Sequence, residues 1–160
     1  MADAWHLGGV AMHQQGRSED ALPFIKNAVL LRPVFTTGYN NLGNVYFKMG
    51  RLPQAIAAFN EAIRQNATNS NARVGLGEAL IAAGNYQDAE DTARAAVRAD
   101  PKYYGAYGLL AQALRENVKE EESLEAFEFM LRMNPNSVSG NSNMGTLLHK
   151  MKNYEAAEYR

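Results

Sequence analysis

The sequence predicts an all-α solenoid of antiparallel helix pairs, and three observations carry that prediction. Related residues recur every 34 positions along the 160-residue chain: Gly9, Gly43, Gly77, Ala111 and Gly145 form one column, and Ala21, Ala55, Ala89, Ser123 and Ala157 a second. Within each period the apolar side chains stand three and four apart, the spacing of one helix face. Glycine and proline punctuate the chain at matching places, with Gly16, Gly50 and Gly84 between stripes and Pro33 and Pro101 at unit ends. Self-similarity at this period indicates stacked two-helix units, each steadied by its neighbours rather than by one central core. The expected organisation is a single solenoid over residues 1–160, with units at 2–35, 36–69, 70–103 and 104–137 and a truncated fifth at 138–160.

Unit one opens with Trp5, Gly9 and Met12 on one stripe, and Gly16 supplies the left-handed residue of a helix exit. Ser18 is the expected N-cap of a second helix, with Glu19 and Asp20 in its first turn and Ala21, Ile25, Ala28 and Leu31 as its stripe. Pro33 stops that helix, while Pro23 removes one of its hydrogen bonds and bends its first turns. Unit two is the most regular, and its Pro53 stands near a helix start, where proline is tolerated. Asn66, Thr68 and Asn69 are expected to make its closing turn in place of a proline. Unit three carries Arg73 in the aromatic column and Ala93 in the column of Ile25 and Phe59, so thin packing is expected there.

Unit four departs furthest. Val118 replaces the turn glycine, Ser123 replaces the alanine, and Met130 occupies the column of Ala28, Ala62 and Ala96. Its Lys119-Glu120-Glu121-Glu122 run reads as a solvated helix start. Unit five is expected to stop at Arg160, a few residues into its second helix, leaving Met144, Leu147 and Leu148 partly uncovered. Arg160 is then a truncation boundary or an assembly edge. Helices of about 14 residues are marginal alone, so stability must come from stacking. Gly43, Gly77 and Gly145 each cost about 1 kcal/mol against alanine inside a helix. Their expected return is close approach of paired helices.

Composition narrows the function. A net charge of −1 and a pI near 6.3 supply no basic field for nucleic acid. The absence of cysteine excludes disulfides, thiolate metal sites and cysteine nucleophiles. Asp3, His6 and His13 interrupt the N-terminus and no apolar run approaches 18 residues, so neither a signal peptide nor membrane insertion is expected, and a cytoplasmic location is the expectation. His6 and His13 share a helix face, but no carboxylate joins them at ligand spacing, so they read as hydrogen-bonding histidines. Gly75-x-Gly77 lacks the third glycine of a phosphate loop, where Leu80 stands. With no nucleophile motif, neither a catalytic site nor a cofactor is expected. Tyr103, Tyr104 and Tyr107 cluster at the start of unit four; Tyr107 belongs to the core column, leaving Tyr103 and Tyr104 as candidate ligand contacts.

The unit written by Tyr39, Leu42-Gly43, Tyr46, Gly50, Ala55, Phe59 and Ala62 resembles the tetratricopeptide repeat family, and the likeness covers essentially the whole chain. The resemblance implies a right-handed superhelix whose first helices line a concave groove holding a peptide or another protein. The inward positions are then His6, Val10 and His13; Asn40, Asn44, Phe47 and Lys48; Asn71, Val74, Glu78 and Ile81. Unit four adds Gly105, Gly108, Gln112 and Arg115, and unit five adds Ser142, Thr146 and His149. Members that grip chaperone tails use lysines, arginines and asparagines over three units. Asn41 and Asn44 match an asparagine each, but Gly75, Gly105 and Leu109 stand where cations are needed. Asn41 and Asn143 also match the asparagine ladder of O-linked N-acetylglucosamine transferase arms, which Leu7, Gly75 and Leu109 break.

Gly75, Gly105 and Gly108 are expected to thin the inner wall into a depression flanked by Val74, Glu78, Gln112 and Arg115. The function expected is a non-catalytic protein–protein interaction module, an adaptor or scaffold. The alternatives are a scaffold that self-assembles through the incomplete C-terminal repeat, and the detached protein-binding arm of a larger glycosyltransferase-like enzyme.

Overall fold

First helices begin at every thirty-fourth residue of the computed structural model, which describes residues 1–158. The elements are α1 (Ala2–Gln14), α2 (Ser18–Leu31), α3 (Thr36–Lys48), α4 (Leu52–Gln65), α5 (Ser70–Ala82), α6 (Tyr86–Ala99), α7 (Tyr104–Glu116), α8 (Glu120–Met133) and α9 (Val138–Glu158). No strand occurs among the described residues. Two compact units emerge, Met1–Gly84 and Asn85–Arg160. The division falls inside the third period, the one whose bulky column is reduced to Ala93.

In the first unit, α1 pairs with α2 and α3 with α4, and first helices also touch one another, α1 with α3 and α3 with α5. The core repeats the predicted columns: Ala21, Ile25, Val29, Leu42, Val45 and Ala58 are buried together, with Tyr39 and Tyr46 packed on them. Close approach is visible at the glycines. A Cβ on Gly9 would stand 2.5 Å from Ile25, and one on Gly43 would stand 2.6 Å from the fully buried Phe59 ring. The same ring faces Gly75, where an added Cβ would lie 2.5 Å away. One aromatic therefore fills the space left by glycines of two successive repeats. Burying such a side chain contributes about 1.5–3 kcal/mol.

The turns are built alike. Gly16, Gly50 and Gly84 adopt φ of 79°, 71° and 79°, and Val118 adopts the same left-handed region at 59°. The bond that closes the turn is also kept, Arg51 N to Tyr46 O at 2.9 Å and Lys119 N to Leu114 O at 2.9 Å. A β-branched residue is strained in that conformation by about 1–2 kcal/mol. After α4, Thr68 N and Oγ1 both donate to Asn66 Oδ1, and Asn69 Oδ1 caps α5 by accepting from Ala72 N at 3.1 Å. Arg73, in the aromatic column, instead donates to Ala67 O across that turn.

Two expectations need correction here. Ser18 is the first residue of α2 and not its N-cap; Arg17 holds that place without a side-chain bond. The Ser18 hydroxyl is turned back onto His13 Nδ1 at 3.0 Å. The fifth unit has no second helix among the described residues, because α9 runs unbroken from Val138 to Glu158 through Lys152. Arg160 lies outside the described residues, and at Ala157 only the helical backbone is described.

In the second unit, α7 packs on α6 and α8, and α9 packs on α8. Ala111, Leu114, Ala126, Phe127 and Leu147 form its core, flanked by Met144 and Met151. Leu147 is thus fully buried, contrary to its expected partial exposure, while Leu148 is 37% exposed. Gly145 meets nothing within 4 Å. Ser123, which replaces the column alanine, donates to Ala111 O at 2.7 Å and so satisfies its hydroxyl inside the core.

Glu90 on α6 is 2% exposed and holds the glycine-less turn. Lys119 Nζ donates to both of its oxygens at 3.0 Å, Asn117 Nδ2 to Oε2 at 2.7 Å and Arg94 to Oε1 at 2.8 Å. Burial alone would push this carboxyl up, but the donors from Lys119, Arg94 and Asn117 outweigh it and hold the carboxyl below the usual range.

Candidate functional site

Of the predicted groove residues, His6, Val10 and His13 lie on α1, Asn40, Asn44, Phe47 and Lys48 on α3, and Val74 and Glu78 on α5. His6 sits edge-on to Phe35, 4.7 Å between ring centroids, and accepts from Asn41 Nδ2 at 2.8 Å. This bond joins α1 to α3 and occupies the asparagine that chaperone-tail and transferase-arm patterns would leave for a ligand. His13, anchored on Ser18, has its protonated form disfavoured first by burial and then by the charge of Lys48. His6 is lowered by burial too, against the opposing pull of Asp3. Both imidazoles therefore lean toward neutrality, and the exposed Lys48 stands one residue from the half-buried Phe47.

Asn40 is the unsatisfied member of the wall. Its Oδ1 is buried and accepts no hydrogen bond. Buried polar atoms are bonded in the great majority of cases, and an unpaired acceptor costs about 1–3 kcal/mol. Asn44 stands one turn further along the same helix, half-buried. On α5, Val74 is half-buried, and the carboxyl of Glu78 is pushed up by the protein around it although the side chain still meets solvent. The α1–α3–α5 wall thus combines an orphan acceptor, a second amide, an exposed cation, a carboxylate of raised proton affinity, and the apolar Val10, Phe47 and Val74.

The second unit is different. Gly108 is buried, and a Cβ there would press 2.8 Å from Met130 Sδ. Gly140 also faces Met130. Met130 stands where other repeats have alanine, and the missing side chains at 108 and 140 make room for it. Gly75 is filled by Phe59 and Gly105 by the Tyr103 ring at 3.0 Å. The expected depression is therefore corrected: each of these glycines is taken up by a neighbouring side chain. Arg115 pairs with Glu116 at 3.1 Å, Gln112 is half-buried, Thr146 donates back to Ser142 O, and His149 bonds Asn153.

Sequence reasoning missed two clefts, one on α2 and one where α8 meets α9. One of about 330 Å³ is lined by Leu22, Pro23, Lys26, Asn27 and Leu30 of α2. The other, about 310 Å³, lies between α8 and α9 and is lined by Glu128, Leu131, Arg132 and Met144. The signal for the first was present, since Leu30 occupies a column that reads Arg64, Arg98 and Arg132 elsewhere. Among the described residues no helix is long and apolar enough to cross a membrane.

Comparisons with known proteins agree with this architecture. A family model described as "Tetratricopeptide repeat" matches residues 40–104 and 74–138. Human Tetratricopeptide repeat protein 6 is 31% identical over 105 residues, 64% of this chain and 20% of that protein. Human Protein O-mannosyl-transferase TMTC2 is 29% identical over 96 residues, 58% of this chain and 12% of that protein. The chain thus spans a fifth or less of the length of these relatives. Among solved structures, a MamA fragment from Desulfovibrio magneticus RS-1 superposes with a TM-score of 0.81 at 19% identity, covering 99% of this chain and 89% of that one. The first repeat domain of Spaghetti (RPAP3), solved with an HSP90 peptide, gives 0.69 at 21% identity over 73% of this chain and 93% of that one.

Proposed function

Because the chain belongs to the tetratricopeptide repeat family, we propose that it is a non-catalytic protein-interaction module that holds an extended segment of another protein against α1, α3 and α5. The observation that carries this reading is the buried, unpaired Oδ1 of Asn40. Its Oδ1 is closed to solvent in this structure, so a backbone N–H of a bound chain reaches it as the Asn40 side chain turns outward, and Asn44 one turn away offers a second amide to the same backbone. Lys48 and Glu78 then select side chains of both charge signs, while Phe47 and Val74 take an apolar one. The solved complex of the Spaghetti domain with an HSP90 peptide supports peptide capture by this fold. Asn41, tied to His6, leaves the clamp incomplete, so the ligand favoured here is not an acidic tail alone.

The test is a pull-down with the intact chain, repeated with Asn40→Ala and with Asn44→Ala and Lys48→Ala together. Partners captured by the parent should fall about tenfold or more in affinity with either variant, as loss of one desolvated hydrogen bond costs about 1–3 kcal/mol. Undiminished capture by both would overturn the reading. A second reading, a protein-binding arm of a larger sugar-transferring protein, is favoured by the likeness to TMTC2. It predicts that the captured partners are glycosylated proteins, and unmodified partners would remove it.

A further inference from the structure

The outer surface of α2 differs from those of α4, α6 and α8. A helix presents rows of side chains four residues apart, with a groove between neighbouring rows. On α2 the rows are Leu22, Lys26, Leu30 and Pro23, Asn27, Leu31. The cleft of about 330 Å³ lies along them. Leu30 is 73% exposed and Leu31 56%, so the apolar parts face solvent.

Elsewhere the same columns are tied shut. In α4, Arg64 donates to Glu61 across the groove at 2.6 Å, and Gln65 donates to Glu61 along its row. In α6, Arg94 donates to Glu90 and Gln87 to Asp91. In α8, Arg132 pairs with Glu128 at 3.8 Å and lies over the Phe129 ring. On α2, neither Lys26 nor Asn27 has a hydrogen-bond or ion-pair partner among the described residues. The charges flanking the groove are already matched. Asp20 holds Arg17 at 2.8 Å, Glu19 stands 3.7 Å from Arg51, and Asp3 holds Arg32 at 3.2 Å. Lys26 is thus the one unmatched charge, midway along an apolar groove.

This shape and charge define the occupant. A groove between such rows receives a row from another helix, crossing at about 50°. Lys26 at its middle calls for a carboxylate between two apolar side chains. A second α2 packed about a two-fold axis would set Lys26 near its own copy, where like charges repel. We propose that the outer face of α2 docks a helix of a partner protein whose contacting row reads apolar, acidic, apolar at four-residue steps. This face is separate from the α1–α3–α5 wall, so the two proposals stand or fall independently.

The probe is a fluorescent alanine-based helical peptide of about 16 residues carrying Leu, Glu and Leu at four-residue steps. Its anisotropy is titrated with the intact chain. Saturable binding is expected, weakened at least about tenfold by Leu30→Glu or by Lys26→Glu in the protein. Both positions are exposed, so these variants keep the fold, which circular dichroism checks. A peptide with Lys in place of its Glu should bind the parent at least about tenfold more weakly and regain affinity for the Lys26→Glu chain. The chain carrying Asn44→Ala and Lys48→Ala should bind the probe as the parent does. Absence of saturation up to about 1 mM peptide, or binding indifferent to both α2 variants, overturns the proposal. Binding lost with the Asn44 and Lys48 changes would give the probe to the wall and overturn it too. So would self-association of the parent that Leu30→Glu abolishes, which assigns the face to a second copy of this chain.

Discussion

Helices α3 and α9 were written to one pattern, yet they meet different fates. Gly43 is pressed by the Phe59 ring, whereas Gly145 faces open space. Gly50 turns the chain back into α4, whereas Lys152 carries α9 straight on. Val118 lies between these cases, turning the chain without glycine and under strain. At Val118 the strain is offset beyond the turn. After it the chain buries Ser123, Ala126, Phe127 and Met130, which far exceeds the cost of one left-handed valine. Lys152 stands in the column of Gly16, Gly50 and Gly84, and among the described residues α9 continues through it as helix.

The largest effect should come from introducing the same substitution at the paired glycines. Gly43→Leu should destabilise the first unit by about 1–3 kcal/mol through overpacking, while Gly145→Leu should stabilise α9 by up to about 1 kcal/mol by helix propensity. Thermal melts of the two variants decide this; equal shifts would erase the distinction between the helices. Next comes the clamp on the strained turn. Glu90→Gln should cost about 1–2 kcal/mol, a value discounted because Lys119 and Arg94 remain partly exposed. Its folded carboxyl lies below the unfolded value near 4.3. The stabilisation is therefore fully present above about pH 4.3 and is lost as pH falls through the folded value, so parent and variant should converge in acid. Denaturant midpoints measured at pH 7 and pH 3 test the convergence.

Smaller still, Val118→Gly should raise stability by about 1 kcal/mol by releasing the strain. A loss of stability in its melt would show that valine is not strained there. Lys152→Gly should loosen α9 by no more than about 1 kcal/mol without creating a turn. Helical content by circular dichroism should drop only slightly, and a new helix pair would show that glycine in this column is enough to turn the chain.

The repeat was legible because each column records burial. Ala21, Ala55, Ala89 and Ser123 share one column and are all fully buried, so a single spacing carried most of the fold. What escaped were choices made between residues far apart. Ser18 has the chemistry of a cap, but the left-handed turn hands that position to Arg17 and leaves the hydroxyl to His13. Gly108 looked like thinning of a wall because Met130, its reason, lies a helix away. The residues expected to line a groove lie on first helices, but their bonds could not be read from the sequence. That Asn41 is spent on His6 while Asn40 keeps an empty acceptor depends on geometry across two repeats, which spacing alone does not encode.

The Phe59 ring has a consequence for how the first unit comes apart. Wedged between Gly43 and Gly75, it belongs equally to two repeats, and it leaves both seats at once. Amide protons of α3, α4 and α5 should then exchange with solvent as one cooperative block, with a shared opening free energy, while α1 is released by smaller, local excursions.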